Sequence, residues 1–448
     1  MPSPVFPPSI PIREYVQSQK AIIGHMLNAY KGYQERYGDL FKAYLVVRPV
    51  LVATAPSYAT HVLQKNHRNY YKDGPSHTVG EVIGNGILTS EGDYWRKQRR
   101  IVQPAFHKTQ IVNLSRIMAE ETDLILRGLE DHDELEAHQL MTNLALKVVT
   151  RALFSRGISD DEIGMVDECV TVLLELMVMK IREPFRVLKY KITGKLDEYW
   201  AKRRELDALI YGIIDQRKAE GAGDNDLLDM LLTSTDGETG EPLKREEILQ
   251  ELMALFLAGH ETSANGLAWT LMLLDQHPEV LETLQQEVDT VLRGEAVSFD
   301  HMNQLTYTRQ VIDESLRLYP PAWIIGREAL GPDEVGDLKL KKGDNISVFI
   351  YGLHRNPNYW EAPDEFRPER MEAAKKKKFL PHQYLPFGGG PRLCIGHQFA
   401  VTEMQIALAT LVQRYTFTRL DQTPVSLIPS ITLRPGDPLR FRFEKRGA

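Results

Sequence analysis

A glycine-rich loop, FGGGPRLCIG over residues 387–396, carries Cys394, one of only two cysteines in the chain. A single cysteine in such a loop can be a buried apolar residue, a nucleophile or a metal ligand. Zinc is disfavoured because no cluster of cysteines and histidines at zinc-ligand spacing lies nearby. The apolar run that follows predicts a helix, so Cys394 lies at a helix N-terminus, where free N–H groups and the helix dipole stabilise a thiolate.

The residues around this cysteine indicate what a thiolate there would hold. The glycines at 388–390 let the loop backbone approach a flat group, and Gly396 removes a side chain where that group would press on the next helix. Arg392 offers a fork of donors to a carboxylate. A flat, iron-containing group that carries carboxylates and is bound by one thiolate is haem.

The pattern F-x-x-G-x-R-x-C-x-G over residues 387–396 resembles the haem-ligand loop of the cytochrome P-450 superfamily. The resemblance implies haem b (iron protoporphyrin IX) as the cofactor and Cys394 as the ligand of its iron. It also implies that Phe387, Gly388 and Gly396 contact the haem.

A second motif lies in ESLRLYP, residues 314–320. Glu314 and Arg317 are three residues apart, share one helix face and can pair. Alone, the pair is better read as an ordinary surface ion pair. In its place along the chain it resembles the Glu-x-x-Arg motif of the same family, with Arg370 in PDEFRPERM as the third member. The resemblance implies a buried network that locks the core around the cysteine loop.

A third motif, AGHETSA over residues 258–264, interrupts a long apolar run. Glycine weakens a helix, and Glu261 and Thr262 place polar groups in apolar surroundings. A hydrogen-bonded kink is one interpretation. The other is a resemblance to the family's oxygen-binding groove, in which a small residue, here Ala258, leaves room for O2 beside the iron. The resemblance implies that Glu261 and Thr262 organise water and deliver protons.

A fourth motif begins WRKQR at residue 95 and puts Trp95 and Arg99 one helical turn apart. The resemblance implies that this pair reaches the haem propionates, together with Arg392 and with Arg327 in PPAWIIGREA. A basic amphipathic helix remains the interpretation of the other cations in the stretch: Arg96, Lys97 and Arg100. His354, in YGLHRNP, is interpreted as a buried structural histidine.

The elements that must position these residues are mostly helical. The run EILQELMALFLAGHETSANGLAWTLMLLDQ is too uniformly apolar for a surface helix and predicts one that crosses the interior. Helical periodicity also covers residues 109–156 and 161–181. Residues 40–56 are rich in β-branched residues around Pro49 and predict a β-hairpin. Residues 232–247 are polar and turn-rich and predict an exposed loop.

Strand patterns return at residues 335–351 and near the C-terminus. No repeat or clear linker divides the chain, so residues 1–448 predict one domain, with residues 1–30 as an N-terminal extension. The expected fold class is mainly α with a minor β region. By resemblance it is the cytochrome P-450 fold, with haem between the long central helix and the cysteine-loop helix.

Composition excludes some classes of protein. The 448 residues are 43% hydrophobic and 26% charged, with a net charge of -7, which gives no reason to expect nucleic acid as a partner. Two cysteines fit a reducing compartment. The N-terminus has no apolar run of signal-peptide or transmembrane length. We expect a soluble, cytoplasmic monomer; its prolines also fit a hinge left after removal of a membrane anchor.

The resemblance implies a monooxygenase that uses O2 and electrons from NAD(P)H. The electrons arrive through a separate ferredoxin or flavodoxin with its reductase. The basic residues of the WRKQRR stretch and of the run Lys375–Lys378 would form a face for an acidic partner. A merely solvated charge run is the alternative for the lysines.

The expected substrate is hydrophobic: a fatty acid, a terpenoid or a steroid-like compound. The residues expected around it offer no charge for a polar substrate, and they are Val79, Ile83, Leu88, Ala254, Ala322, Trp323, Ile324, Ile325 and Ile431. Two other classes compete with the monooxygenase. One is a haem enzyme of this fold that uses or rearranges peroxides, and the other is a haem-binding sensor without catalysis. A cysteine-nucleophile hydrolase is weaker still, because no histidine with a fitting partner lies near Cys394.

Overall fold

The computed structural model describes residues 7–11, 26–45, 48–155, 158–221, 223 and 226–447. Its α-helices are α1 (residues 26–37), α2 (Pro56–Thr60), α3 (Gly74–Ile83), α4 (Gly92–Val102), α5 (Lys108–Arg127), α6 (Ala137–Phe154), α7 (Asp160–Arg182), α8 (Arg186–Ile192), α9 (Lys195–Glu220), α10 (Leu227–Thr233), α11 (Arg245–Gln276), α12 (Pro278–Leu292), α13 (Thr306–Leu318), α14 (Ile350–Leu353), α15 (Ala373–Lys376) and α16 (His397–Arg414). Helices account for 59% of the residues, which confirms the mainly α class.

Within the described ranges, the strands form four small sheets around the helices. They are β1 (Leu40–Leu45), β2 (Arg48–Ala53), β3 (Tyr70–Tyr71), β4 (Asp133–Glu136), β5 (Ile325–Ala329), β6 (Asp333–Val335), β7 (Leu338–Leu340), β8 (Asn345–Val348), β9 (Tyr415–Arg419), β10 (Leu427–Pro429), β11 (Leu433–Pro435) and β12 (Arg440–Lys445). The largest sheet has the order β1-β2-β8-β5-β3, and a second has the order β4-β12-β9. The predicted hairpin is confirmed: β1 and β2 are antiparallel, with Leu40 opposite Ala53.

The central helix α11 crosses the interior, as its uniform apolarity predicts. It is continuous through AGHETSA, so the polar residues that interrupt the apolar run do not end the helix. Gly259 is needed for close packing: a Cβ atom there would lie 2.8 Å from Cγ2 of Val149 on α6. The cost of a glycine within the helix is therefore offset by the close approach of two helices.

Strand β4 lies within the span predicted as helical, between α5 and α6. Its sequence, DELE, has low strand propensity, and it pairs with β12, where Leu135 lies opposite Phe441. Pairing with a strand about 300 residues away overrides the local pattern. The segment at 232–247 is mostly exposed, as predicted, but Asp236 within it is buried and accepts a hydrogen bond from Arg100 at 3.1 Å.

Most of the predicted N-terminal extension lies outside the described residues. Its described parts pack on the first sheet: the Ile10 amide donates to the Lys42 carbonyl at 3.1 Å, and Tyr30 of α1 meets Phe41 and Phe349 edge-on. Across the described ranges, no helix is both long and apolar enough to cross a membrane.

Candidate functional site

The cysteine loop is closed by its own backbone. The Cys394 amide donates to the Phe387 carbonyl at 3.0 Å, and the Leu393 amide donates to Gly390 at 3.0 Å. Gly388 and Gly390 have φ angles of 72° and 68°, a region that glycine adopts without strain. Cys394 is thereby held three residues before the start of α16, near the helix N-terminus as predicted.

Two of the loop glycines face protein, which corrects the expectation that all three approach a flat group. A Cβ atom at Gly390 would lie 1.8 Å from the Leu63 carbonyl oxygen, and one at Gly389 would lie 2.4 Å from Cδ2 of His382. Gly388 has more room, with Ile325 Cδ1 at 3.4 Å. The sequence showed that the loop approaches something closely, but not that part of this neighbour is the chain itself.

Cys394 is accessible although it lies deep in the protein, so its thiol faces an open interior space. Burial nevertheless raises the pKa of the Cys394 thiol, while the Gly396 amide and Arg99 act in the opposite direction. A bound metal cation would displace the proton, because metals take cysteine as the thiolate. The loop therefore fits a metal ligand better than a free nucleophile. The described residues hold no cluster of three or more His, Cys, Asp or Glu that could bind a metal.

One strip of helix α11 faces open space inside the protein. Ala258 is exposed and Thr262, one turn later, is half-buried, although most of the helix around them is buried. The Thr262 hydroxyl donates to the Ala258 carbonyl at 2.7 Å. A small side chain and a hydroxyl thus border open space, which is the arrangement expected of an oxygen-binding groove.

Glu261 and Thr262 do not act on each other. The Glu261 carboxylate accepts a 2.7 Å hydrogen bond from Thr432, away from the Thr262 hydroxyl. Thr432 in turn accepts from Asn265 at 3.1 Å. The two side chains are neighbours in sequence but begin different hydrogen-bond paths, because consecutive helical residues point about 100° apart.

A cluster of cations lies near the cysteine loop. The Arg392 guanidinium lies 4.1 Å from the Trp95 ring centroid, donates to the Ser90 carbonyl at 2.8 Å and pairs with Glu91. Arg99 donates to the Leu393 carbonyl at 2.9 Å, so it supports the residue before the cysteine.

Two more cations join this cluster. The Lys72 amide donates to Glu91 at 2.9 Å. Burial, followed by Arg392 and Arg327, lowers the pKa of the Lys72 amine to about 7. Burial likewise lowers the pKa of Arg327, with Glu91 opposing. Four cations, Lys72, Arg99, Arg327 and Arg392, thus lie near two acids, Glu91 and Asp73. A group bearing two carboxylates would balance this excess of positive charge.

The thiol, the open interior strip and the cation cluster together fit haem. Sequence reasoning named three of the four cations but missed Lys72 and its partner Glu91. Neither residue belongs to a recognisable motif. Their importance depends on charges that only the folded chain brings together.

Glu314, Arg317 and Arg370 meet at a buried site. Arg317 Nε and Nη2 donate to the two Glu314 oxygens at 2.8 Å each, and Arg370 Nε donates to Glu314 at 2.8 Å. Arg317 also donates to the carbonyls of His354, Pro363 and Glu365, at 2.6, 2.7 and 3.0 Å. The Glu-x-x-Arg pair is therefore not a surface ion pair. With Arg370 it forms the centre of a buried hydrogen-bond network, here called the hub, that holds the segment leading to the cysteine loop.

His354 links this hub to the loop. Its Nε2 accepts from the Leu385 amide at 3.0 Å, and its Nδ1 lies 3.1 Å from the Arg317 carbonyl oxygen. Burial, followed by Arg317, lowers the pKa of His354 well below its usual value, so the ring is neutral. The neutral tautomer donates from Nδ1 and accepts at Nε2, as a structural histidine should.

Glu403 on α16 is a buried acid that sequence reasoning missed. It accepts a 2.6 Å hydrogen bond from Ser263 of α11, and burial raises the pKa of its carboxyl to about 8. An acid inside the apolar run FAVTEMQIALATLV was the available signal. It joins the two helices that border the cysteine.

Replacing Glu403 with glutamine should make stability less sensitive to pH. The folded-state pKa of about 8 lies above the usual 4.5. The wild type should therefore lose stability as pH rises from about 5 to 8, by roughly 3 kcal/mol, because each bound proton contributes about 1.4 kcal/mol per pH unit. Urea unfolding of wild type and variant at pH 5.5 and 8 measures the difference. Glu120→Gln, at an exposed position on α5, is the control, and an equal pH response in all three proteins would contradict the assignment.

A cavity of about 280 Å³ lies between the β1–β2 hairpin, α3, the end of α7 and β5. Four of the predicted pocket residues line it: Val79, Trp323, Ile324 and Ile431. The others lie outside it: Ile83, Leu88, Ala254, Ala322 and Ile325. The Trp323 indole is held by a 3.1 Å hydrogen bond to the Ser430 carbonyl.

Charged side chains also line this cavity, namely Arg48, Asp73 and Arg182, whereas the residues predicted around the substrate carry no charge. The prediction considered apolar stretches only. Arg48 lies at the start of β2 and Arg182 at the end of α7. Folding brings both residues to the wall of the same cavity.

The basic face expected to meet a redox partner is largely neutralised by the chain. The α4 cations pair with acids: Arg96 with Asp93, Lys97 with Glu241 at 3.7 Å, and Arg100 with Asp236 at 3.1 Å. In the lysine run, Lys376 pairs with Asp313 at 2.7 Å and Lys375 with Glu372 at 3.1 Å. Lys377 and Lys378 are exposed, and neither forms an ion pair with a described residue.

Comparison with known proteins agrees with this geometry. The family described as cytochrome P-450 matches residues 4–442. Cyclooctatin synthase of Streptomyces melanosporofaciens is 34% identical over 92% of this chain and 89% of that protein. Cyclooctat-9-en-7-ol 5-monooxygenase of the same organism is 32% identical over 85% of this chain and 82% of that protein. Pentalenene oxygenase of Streptomyces avermitilis is 29% identical over 92% of this chain and 91% of that protein. The crystal structure of the cytochrome P450DA haem domain superposes with a TM-score of 0.90 at 28% identity, covering 98% of both chains.

Proposed function

This chain belongs to the cytochrome P-450 family of haem monooxygenases, and from that premise we propose that it hydroxylates a hydrophobic terpenoid. Terpenoid-oxidising relatives support the substrate class. The observation that carries the proposal is the cavity beside β5, whose lining combines Val79, Trp323, Ile324 and Ile431 with three charged residues, Arg48, Asp73 and Arg182. A rigid apolar ligand would gain roughly 25 cal/mol for each Å² of apolar surface it buries there.

Different residues of the chain would bind the iron and the carboxylates of the haem. Cys394 is the proposed ligand of the iron. Arg99, Arg327, Arg392 and Lys72 would bind the two carboxylates, with Trp95 stacked against Arg392. When bound, haem supplies the activation of O2 and the transfer of one oxygen atom to substrate, with electrons that originate in NAD(P)H.

The proton path is proposed to begin at Thr262. Its hydroxyl borders the open strip of α11 and donates to Ala258, so it can exchange that bond for one to water. Glu261 is proposed to supply protons from its link to Thr432. Phe387, Gly388 and Gly396 are proposed to shape the loop against the haem, and the domain is proposed to comprise residues 1–448.

Thr262→Ala should keep haem but waste reducing equivalents. Without the hydroxyl, protons reach the oxygen site poorly, so product per NADPH should fall by about tenfold or more, within the range ascribed to a positioned proton donor. Product, NADPH and hydrogen peroxide are measured in one reconstituted assay. Thr262→Ser, which keeps the hydroxyl, is the control. Unchanged coupling in the alanine variant would remove Thr262 from the path.

The substrate class is tested by optical titration of the ferric enzyme. A cyclic terpene alcohol, lauric acid and a steroid are each added, and binding is read from the shift of the Soret band. Tighter binding of the terpene than of the other two is the expected result. Preference for the fatty acid or steroid would overturn the terpenoid assignment and leave the monooxygenase class untouched.

The electron donor is proposed to be a ferredoxin or flavodoxin that docks near Lys377 and Lys378. These cations lack ion-pair partners among the described residues, unlike those of α4. Unpaired surface cations steer an acidic partner more effectively than neutralised ones. A soluble monomer is proposed for the chain itself.

A further inference from the structure

One end of the cavity beside β5 is polar. Asn345 and Ser347 of β8 line the cavity, whereas Ile346 and Val348 of the same strand are buried in the core on its opposite face. Gly326 of β5 lies opposite Ser347 in the antiparallel ladder and also lines the cavity. Gly326 and Ser347 are thus neighbours on the sheet face that borders the cavity.

Asp73, which precedes α3, places its carboxylate over Gly326. A Cβ atom at Gly326 would lie 1.6 Å from Asp73 Oδ2, so the carboxylate occupies the space that a side chain at this position would fill. Asp73 Oδ1 accepts from the Ser76 amide at 3.3 Å and from the Ser76 hydroxyl at 2.8 Å, and so caps α3. Oδ2 forms no hydrogen bond or ion pair with any described residue, and Asp73 lines the cavity. This oxygen can therefore accept a hydrogen bond from a ligand.

The Ser347 hydroxyl also lacks a partner. Ser347 is 5% exposed and lines the cavity, and none of the residues that the structure describes forms a hydrogen bond with its hydroxyl. Side-chain hydroxyls buried this deeply normally have a hydrogen-bond partner. A group bound in the cavity is the partner that the position of Ser347 allows.

The two groups lie close enough for one ligand atom to bridge them. Residues opposite each other in antiparallel strands have Cβ atoms about 5 Å apart, and the Asp73 carboxylate lies where a Cβ atom of Gly326 would be. One oxygen atom between them can accept from Ser347 and donate to Asp73 at ordinary hydrogen-bond distances. We call Asp73, Gly326 and Ser347 the polar end of the cavity.

We propose that the polar end binds a hydroxyl group that the substrate already carries. A hydroxyl both accepts and donates, so it satisfies Ser347 and Asp73 together. A carboxylate cannot donate and would be repelled by Asp73, and a hydrocarbon would leave both protein groups unpaired. This inference rests on the proposed function, because it takes the cavity as the substrate site, and it narrows the terpenoid class to alcohols.

A substrate that already carries a hydroxyl implies an earlier reaction. Its oxygen must come from a preceding hydroxylation of the hydrocarbon or from a ring closure that ends with capture of water. Val79 and Ile431, which line the same cavity, would contact the apolar skeleton while the polar end fixes the hydroxyl. The position of the new oxidation would thus be set relative to the existing hydroxyl.

Isothermal titration calorimetry of the haem-loaded full chain tests the polar end with three probes that share one rigid skeleton: decalin, 2-decalol and decalin-2-carboxylic acid. We expect 2-decalol to bind at least about tenfold more tightly than decalin, because a site built to hydrogen-bond a hydroxyl rejects the analogue that lacks it. The acid should bind more weakly than the alcohol. Equal affinities for decalin and 2-decalol, or no binding of any probe, would overturn the proposal. Tightest binding of the acid would also overturn it and assign ligand selection to Arg48 and Arg182.

Two variants separate the hydroxyl from the carboxylate. Ser347→Ala should lower the preference for 2-decalol over decalin by about tenfold, since it removes the donor. Asp73→Asn keeps an oxygen that caps α3 but removes the negative charge, so binding of the acid should rise by about tenfold. Ser430→Ala is the control, because Ser430 lines the same cavity between β10 and β11 and should keep the preference. An unchanged preference in Ser347→Ala would contradict the role of the polar end.

Product analysis separates this inference from the proposed function. Tighter binding of 2-decalol, with a fatty acid or steroid as the only compound oxidised, would contradict the terpenoid class and leave the polar end intact. Oxidation of a cyclic terpene and of its alcohol with equal kcat/KM would keep the terpenoid class and overturn the polar end.

Discussion

Replacing Cys394 with serine or alanine is expected to abolish the red-shifted Soret band of the reduced, carbon-monoxide-bound protein. That band would report a thiolate ligand of the haem iron, and of the two cysteines only Cys394 is accessible. Monooxygenase activity should fall by more than about a thousandfold, the size expected when a group that touches the reacting centre is removed. The loop should keep its shape, because its hydrogen bonds are made by backbone atoms.

Cys169→Ala is the matched control. Cys169 is fully buried on α7, and burial raises the pKa of its thiol to about 11. It should keep the thiolate band, with at most a small loss of thermal stability. A thiolate band that survives in Cys394→Ala, with normal circular dichroism, would show that the assigned ligand is wrong.

Arg317→Ala is expected to prevent accumulation of folded, haem-loaded protein. The change leaves Glu314 buried with one fewer partner, at a cost of about 3–5 kcal/mol, and strips three carbonyls of their donor, at about 1–3 kcal/mol each. Whole domains are stable by only about 5–15 kcal/mol. Haem content per chain and the unfolding midpoint measure the loss.

Two variants make this result specific. Arg317→Lys keeps a charge but not the planar fork, so it should restore little. Arg367→Ala is the surface control, since Arg367 pairs with Glu365 from a half-exposed position and should cost less than about 1 kcal/mol. Normal haem content in Arg317→Ala would refute the role of the hub.

The parts of the site that sequence predicts are those whose chemistry is local. The glycines around Cys394 and the i, i+3 spacing of Glu314 and Arg317 can be read from neighbouring residues. Ala258 and Thr262 could be placed because a long apolar run already predicts α11. In each case the residue types and their spacing lie within a single loop or helix.

The rest depends on pairings between distant segments. Lys72 matters because folding brings it to Arg392 and Arg327, and no local pattern distinguishes it from a surface lysine. Strand β4 exists because β12 supplies its hydrogen-bond partners, against the propensity of its own residues. The packing role of Gly259 could not be predicted, because the sequence does not show how closely Val149 approaches α11.

The contact between Arg392 and the Ser90 carbonyl spans 302 positions of the chain. At about 5–20 residues per second, the ribosome needs roughly 15 to 60 seconds to reach Arg392 after it has made Ser90. Trp95 and Arg99 are therefore part of an incomplete chain until the ribosome has made the cysteine loop that packs against them. A group that needs both the Trp95 end and the Cys394 end of the site can therefore be bound only late in biosynthesis, once both segments have been made.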